Sequence, residues 1–218
     1  MPIRDVSNRG GNIIGRYPSL KLGRMVSYES LIERDFICVL DFEPTIRWFE
    51  EQPLRLCYRD GEQDRHYTPD FQFISADQTV LVECKAQSLV GKAENQRKFA
   101  VAERWCEQQS WQFQVITDAD LTSSYRVQNI IWLTRFARYS IGDEFRQAVK
   151  AYLARIGQPV AIAEVCKQIK PDHPQQAFIP LFGLIYHQYL QVELDQQLLS
   201  VNSPVQWGST RLDTGGGS

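Results

Sequence analysis

The sequence contains no long apolar segment, and this absence excludes a membrane-spanning helix. Its longest hydrophobic runs fall far short of the roughly 20 residues that such a helix requires. The first residues include Arg4 and Arg9 but no apolar core of the kind found in secretory signal peptides. We therefore expect a cytoplasmic protein that does not enter a membrane.

Cysteine and histidine are too few and too scattered for the sites they usually build. The 5 cysteines are an odd number without any Cys-x-x-Cys spacing, which argues against a disulfide framework and against zinc ligation. The 3 histidines are far apart, which argues against a histidine nucleophile or metal cluster. We expect reduced core cysteines and structural or surface histidines. These residues are Cys38, Cys57, Cys84, Cys106, Cys166, His66, His173 and His187.

The chain as a whole is not basic, since its net charge is −2. The charge is unevenly distributed, however. Residues 1–24 contain five basic residues against one acidic residue, a net charge of +4, whereas residues 25–140 contain 13 basic against 18 acidic residues, a net charge of −5. A basic N-terminal arm beside an acidic body suits phosphate contacts made outside a metal site, although a solvated tail has the same composition. The candidate DNA-binding residues are Arg4, Arg9, Arg16, Lys21 and Arg24.

The sequence does contain a compact pattern of two acids and one lysine. Asp70 follows Pro69 and opens the apolar run of residues 71–74. A second run, residues 79–82, ends in Glu83-Cys84-Lys85. The short polar segment between the runs predicts a hairpin that brings Asp70 close to Glu83. Because side chains alternate along a strand, Glu83 and Lys85 project to the same face.

This pattern has the chemistry of metal-dependent phosphodiester cleavage. Two carboxylates on adjacent strands form an oxygen-rich site for Mg²⁺, with Mn²⁺ as a substitute, and the backbone carbonyl of Cys84 can add a third oxygen. The ammonium of Lys85 can hold or help deprotonate an attacking water and balance the charge on the phosphate. A short pattern of this kind also arises by chance, so it is not decisive by itself.

Helical and strand patterns alternate over residues 25–140. The apolar spacing after Ser27 predicts a first helix capped by Ser27 and ended by Pro44. This order predicts an α/β domain with a central mixed sheet flanked by helices. The expected strands are residues 45–49, 54–58, 66–67, the hairpin and 111–116, and the expected later helices are residues 91–108 and 125–139.

Residues 141–207 have a different character. Three amphipathic helices followed by a hairpin at residues 190–201 resemble a winged-helix module. This segment has five basic and six acidic residues up to residue 208, so we interpret it as a protein-docking domain rather than a DNA reader. Residues 208–218, which end in Gly-Gly-Gly-Ser, are interpreted as a linker or an added tail.

A third acid is available on the first helix. Glu29 and Glu33 lie one turn apart on one face, and either can also be an ordinary solvated glutamate. The spacing alone does not choose between them.

Four short segments together resemble the TnsA-type endonuclease subunit of heteromeric cut-and-paste transposases, a branch of the PD-(D/E)xK nuclease superfamily. The likeness extends over roughly residues 27–139, and the C-terminal helical module suits the second domain of that family. The four segments are residues 30–36, 51–54, 67–71 and 82–85.

The resemblance implies a restriction-endonuclease-like fold and a set of site residues. Glu33, Asp70 and Glu83 match the acidic positions and Lys85 the lysine, and the resemblance thereby selects Glu33 over Glu29. The metal ligands would be Asp70, Glu83, the Cys84 carbonyl and Glu33. Some members of the family have glutamine where Glu83 stands.

The resemblance also implies that three proteins with different roles act together on double-stranded DNA in a prokaryotic nucleoid. A TnsB-like DDE transposase would cut and join the 3′ ends, this subunit would nick the 5′ (non-transferred) strands at the transposon ends, and a TnsC-like AAA+ ATPase would dock on it. One alternative is a stand-alone restriction or repair nuclease of the same superfamily. Another is a non-catalytic assembly module, which has no need for clustered carboxylates.

Overall fold

The computed structural model describes residues 13–208, which divide into two compact units between Ser123 and Ser124. The strands of the first unit are β1 (Gly15–Pro18), β2 (Met25–Tyr28), β3 (Ile46–Glu51), β4 (Leu56–Asp60), β5 (Gln63–Tyr67), β6 (Phe71–Ser75), β7 (Gln78–Lys85) and β8 (Gln112–Thr117). Its helices are α1 (Leu31–Phe42), α2 (Gln87–Val90), α3 (Ala93–Gln109) and α4 (Asp118–Leu121).

A four-stranded mixed sheet forms the centre of the first unit. Its strand order is β3-β6-β7-β8, and β7 pairs with β8 in parallel while the other pairs are antiparallel. The continuous apolar run of residues 80–82 lies in β7, a central strand that is buried on both faces. The predicted α/β architecture with a mixed sheet is confirmed, and it is consistent with a restriction-endonuclease-like fold.

The predicted hairpin joins the two middle strands. Ser75 pairs with Gln78, so only Ala76 and Asp77 form the turn, and both have positive φ, 46° and 70°. Two positive φ values are what a type I′ turn requires, and this turn matches the right-handed twist of the strands. The register that follows pairs Phe71 with Val82.

Helices cover both faces of the sheet. On one face Phe36 of α1 makes edge contacts with Phe71 and Phe73, at ring-centroid distances of 5.8 and 6.4 Å. On the opposite face Leu81 packs in a buried cluster with Ala102 of α3. The other buried members of this cluster are Leu56, Tyr67 and Cys106.

The first helix begins later than predicted. Ser27 lies in β2, and the N-cap of α1 is Ser30, whose hydroxyl accepts from the Glu33 N–H at 3.1 Å. Ser27 and Ser30 are both suitable N-caps, since a serine side chain can accept from an unpaired amide of the first helical turn. Pairing of β2 with β1 decides between them, because it holds residues 25–28 in an extended conformation.

The predicted basic arm is in part a folded hairpin, β1–β2. Lys21 Nζ donates to the carbonyl oxygens of Leu40 and Glu43 at the end of α1, and burial lowers the pKa of Lys21 to about 8. Arg24 forms a bidentate pair with Glu51 at 2.7 and 2.8 Å. These two cations are thus bound to the protein itself, and DNA contact by them stays a prediction. Arg4 and Arg9 lie outside the described residues.

Asp41 anchors the loop of this hairpin. Its buried carboxylate accepts from the Ser19 hydroxyl and from the N–H groups of Leu20 and Lys21, at 3.1 and 3.0 Å for the two amides. We expect Asp41→Ala to lower the free energy of unfolding by about 2–3 kcal/mol, because these donors lose a charged acceptor. Urea unfolding measures the effect. Asp64→Ala, at an exposed position, is the control and should change stability by less than about 0.5 kcal/mol.

The second unit combines helices with a small sheet. Its helices are α5 (Arg126–Leu133), α6 (Asp143–Ile156), α7 (Ile162–Ile169) and α8 (Phe178–Tyr186), with 3₁₀ turns at Thr134–Phe136 and Pro174–Ala177. Its strands are β9 (Val160–Ala161), β10 (Leu190–Val192) and β11 (Pro204–Trp207), in the order β10-β11-β9. The predicted hairpin at residues 190–201 therefore reaches to residue 207. The winged-helix interpretation stays a prediction.

The boundary between the units lies after residue 123 instead of after residue 140. Aromatic packing accounts for the difference, since Trp132 contacts Phe136 and Phe182 at centroid distances of 4.9 and 4.6 Å. Asn129 of α5 also donates from Nδ2 to the carbonyl oxygens of Leu194 and Gln197, both at 2.8 Å. The helix predicted at residues 125–139 thus belongs to the second unit.

All five cysteines are free thiols, as predicted. Four of them are buried, but Cys57 is exposed on β4, so the expectation of core positions is wrong for that residue. Among residues 13–208 no helix combines the length and the apolar character needed to cross a membrane.

Candidate active site

Asp70 and Glu83 lie opposite each other at one end of the β6–β7 hairpin. Asp70 precedes Phe71, Glu83 follows Val82, and Phe71 and Val82 are a register pair. The Asp70 N–H donates to the Val82 carbonyl oxygen at 3.0 Å, which extends the ladder by one bond. The structure therefore brings together the two acids that the sequence places 13 residues apart.

Asp70 is held by the backbone of the neighbouring strand. Its Oδ2 accepts from the Cys84 N–H at 2.7 Å, while no donor among residues 13–208 contacts Oδ1. Burial raises the pKa of Asp70 well above its usual range, and the charges of Glu83 and Glu33 add to this increase. The carboxyl group therefore lies in a site with an excess of negative charge, which a cation would relieve.

Lys85 forms the second side of the site. Its Nζ lies 2.7 Å from Glu83 Oε1, so both side chains are on one face of β7, as predicted from strand alternation. Burial by itself would lower the pKa of Lys85, but the charges of Glu83, Asp70 and Glu33 outweigh burial and raise it. The neighbouring carboxylates therefore favour the ammonium form of Lys85.

Tyr67 is a member of the site that sequence reasoning missed. Its hydroxyl donates to Glu83 Oε2 at 2.7 Å, so both oxygens of this buried carboxylate have a partner. Burial and the charge of Glu83 raise the pKa of Tyr67, which keeps the hydroxyl protonated. The only sequence signal is the position of Tyr67 three residues before Asp70, and this does not reveal a contact across 16 residues.

Glu33 influences the site through its charge. Its Oε2 accepts from the Glu29 N–H at 2.7 Å, and its Oε1 accepts from the Ser30 hydroxyl at 2.9 Å. Burial raises the pKa of Glu33, and the neighbouring charges of Glu29 and Glu83 raise it further. Its carboxylate thus stays bound to the start of α1 while its charge acts on Asp70.

The site residues fit a magnesium ion, as judged from their donor chemistry. Among residues 13–208 no three Asp, Glu, His or Cys side chains form a group that could hold a metal ion. Mg²⁺ does not require such a group, because it usually binds one or two carboxylates and keeps several waters. Asp70 and Glu83 supply two carboxylates, and their mutual repulsion favours a cation between them.

We expect Tyr67→Phe to weaken the site without unfolding the protein. The variant loses a hydrogen bond to a buried carboxylate, at a cost of about 1.5–3 kcal/mol in the free energy of unfolding. Groups that orient a metal ligand typically contribute about 10–100-fold to activity or metal affinity, so DNA cleavage should fall by that factor.

Tyr58→Phe serves as the control for this change. Tyr58 lies on the same β4–β5 hairpin and packs against the same hydrophobic cluster. If both variants cut DNA at the same rate, the Tyr67 hydroxyl does not position Glu83 for catalysis.

Comparison with protein families gives one match in this region. Residues 43–118 match the family described as TnsA-like endonuclease N terminal. The matched segment contains the hairpin with Asp70, Glu83 and Lys85, and it ends just after β8. No curated protein matches the chain.

Proposed function

We propose that this chain, whose residues 43–118 match the TnsA-like endonuclease N-terminal family, is the DNA-cutting subunit of a cut-and-paste transposase that nicks the 5′ strands at transposon ends. The observation that carries this proposal is the alignment of Asp70 opposite Glu83 with Lys85 at 2.7 Å from Glu83, inside the matched segment. Its substrate is double-stranded DNA with transposon ends. Its partners are a TnsB-like DDE transposase and a TnsC-like AAA+ ATPase.

Each residue of the site has a defined task in this proposal. Asp70 and Glu83 hold Mg²⁺, with the Cys84 carbonyl as a further oxygen and Glu33 adding negative charge. The Cys84 N–H and the Tyr67 hydroxyl keep the two carboxylates in their orientations. When bound, the cation supplies Lewis-acid stabilisation of the charge that builds up on the phosphate.

Lys85 acts on the reacting groups as a hydrogen-bond donor. Its Nζ can donate to the attacking water or to a phosphate oxygen and balance the developing negative charge. The pairing with Glu83 fixes the position of the ammonium at the edge of the carboxylate pair.

The second unit, residues 124–208, is proposed to dock the AAA+ partner. The whole unit has eight basic and six acidic residues, and over residues 141–208 the charge is nearly balanced, so the unit lacks the strong basic excess of a phosphate-binding surface. Strand choice at the DNA ends would then come from the partner proteins, and the first unit would supply the cut.

The proposal is tested by mapping the cut strand on transposon-end DNA. The full chain is incubated with Mg²⁺ and labelled end-containing duplex, with and without the co-encoded DDE transposase. We expect nicks on the 5′ strand that require the transposase. Efficient cutting by the chain alone supports a stand-alone nuclease instead, and absence of metal-dependent nicks in every combination supports a non-catalytic assembly role.

A further inference from the structure

Gln52 lies directly after β3 and contacts two parts of the candidate site. Its backbone N–H donates to the Asp70 carbonyl oxygen at 2.8 Å. Its side-chain Nε2 donates to Glu29 Oε1 at 3.1 Å, and Glu29 in turn donates its N–H to Glu33. Gln52 thus connects the strand that carries Asp70 with the acidic start of α1.

The backbone of Gln52 is held in an unfavourable conformation. Its φ is 48°, in the left-handed region, and the next residue is Pro53, which restricts Gln52 further. Such a conformation costs on the order of 1–3 kcal/mol in a non-glycine residue and persists where the surrounding structure enforces it. Glycine would adopt this φ without that cost, so the contacts of Gln52 must compensate for it.

The side-chain oxygen of Gln52 is buried and has no hydrogen-bond partner. Among the buried side-chain nitrogen and oxygen atoms of residues 13–208, Oε1 of Gln52 is the one that has no hydrogen-bond partner. Exchanging the amide oxygen and nitrogen does not help, because the oxygen would then face the Glu29 carboxylate, which cannot donate a hydrogen bond when ionised. Buried acceptors are almost always paired, so this atom calls for a donor beyond those that residues 13–208 provide.

We propose that Gln52 is a positioning residue of the metal site, and that its Oε1 accepts a hydrogen bond from the hydration shell of a divalent cation held by Asp70. The inference rests on the proposed function, since that function requires the cation. Mg²⁺ in proteins keeps several waters, and acceptors around them orient the ion. The backbone of Gln52 is hydrogen-bonded to that of Asp70, and its side chain reaches Glu29, whose N–H binds Glu33, so Gln52 adjoins both acidic parts of the proposed site.

Gln52→Leu separates this role from a purely structural one. The leucine removes both amide atoms and leaves the backbone N–H that binds Asp70. Thermal melts of the full chain are recorded in EDTA and across a MgCl₂ titration. We expect the melting temperature in EDTA to stay unchanged or rise, since an unpaired buried acceptor is removed. The Mg²⁺ concentration that gives half of the stabilisation should increase by about 10-fold or more.

Matched variants make the outcome decisive. Gln78→Leu removes a glutamine that donates to Thr79 and Ser110 at the turn end of the same β6–β7 hairpin, and its Mg²⁺ response should equal that of wild type. Gln52→Gly keeps the backbone conformation and removes the side chain, so it replaces the leucine variant if that protein fails to fold. It should show the same weakened response.

Two results overturn the inference in distinguishable ways. If wild type gains stability from Mg²⁺ and the Gln52 variants respond identically, Gln52 does not position the cation and the proposed function is untouched. If wild type itself shows no response to Mg²⁺, the metal site of the proposed function is wrong, and the inference falls with it.

Discussion

Asp70→Asn is expected to reduce DNA nicking by about 10³-fold or more in the complete assembly, because an interaction worth several kcal/mol at the transition state is lost. The same change should stabilise the protein in EDTA. Asparagine can still accept from the Cys84 N–H, whereas the repulsion among the carboxylates of Asp70, Glu83 and Glu33 is reduced. We expect a gain of roughly 1 kcal/mol, or about 2–4 °C in the melting temperature for a chain of this size.

The prediction is tested by whether Asp70→Asn lowers the nicking rate while it raises the melting temperature. Asp77→Asn changes an exposed aspartate in the turn of the same hairpin and should leave both nicking and the melting temperature near wild type. A variant that loses nicking because it is misfolded would melt at a lower temperature than wild type. An Asp70→Asn protein that melts normally and nicks at the wild-type rate would show that Asp70 is not a catalytic ligand.

Lys85→Met is expected to have the largest effect on stability. Glu83 is buried, with 5% of its side chain exposed, and Lys85 is its cationic partner at 2.7 Å. Removing one member of a buried ion pair leaves the other charge uncompensated, at a cost of about 3–5 kcal/mol. Nicking should be lost as well, because the ammonium that is proposed to donate to the attacking water or the phosphate is removed. Urea unfolding and the nicking assay measure the two effects.

Lys98→Met is the matched control for this prediction. Lys98 also lies 2.7 Å from a glutamate, Glu94, but 60% of that glutamate side chain is exposed. Exposed pairs one helical turn apart contribute little to stability, so this variant should be nearly as stable as wild type. Adding Glu83→Gln to Lys85→Met should recover much of the lost stability, since the uncompensated charge is then gone. Equal losses in the two lysine variants would contradict the prediction.

The strand pairing around the site is predictable from short stretches of chain. Asp70 and Lys85 bound two apolar runs that a short polar segment separates, and the register then depends on a two-residue turn with positive φ at Ala76 and Asp77. Turn length and the two-residue period of a strand are local properties. They are sufficient to place Asp70 opposite Glu83 and to put Lys85 on the same face as Glu83.

Other features were not predictable, because several residues satisfy the same local rule. Ser27 and Ser30 are equally good N-caps, and only the pairing of β2 with β1 selects Ser30. Arg24 in a basic stretch suits DNA contact, but its guanidinium pairs with Glu51, 27 residues away. The division into compact units after residue 123 has no local signature either, since the aromatic contacts of α5 with α8 join distant parts of the chain.

Residue type and spacing were enough to indicate the kind of chemistry, since they place two carboxylates and a lysine at strand ends. The distant groups that complete the site emerge only from the folded chain: the Tyr67 hydroxyl on Glu83, the Glu33 charge on Asp70, and the contacts of Gln52. This difference follows from the range of the interactions involved. Strand period and turn geometry act between neighbours in the chain, whereas burial and charge act between whichever groups the folded core brings together.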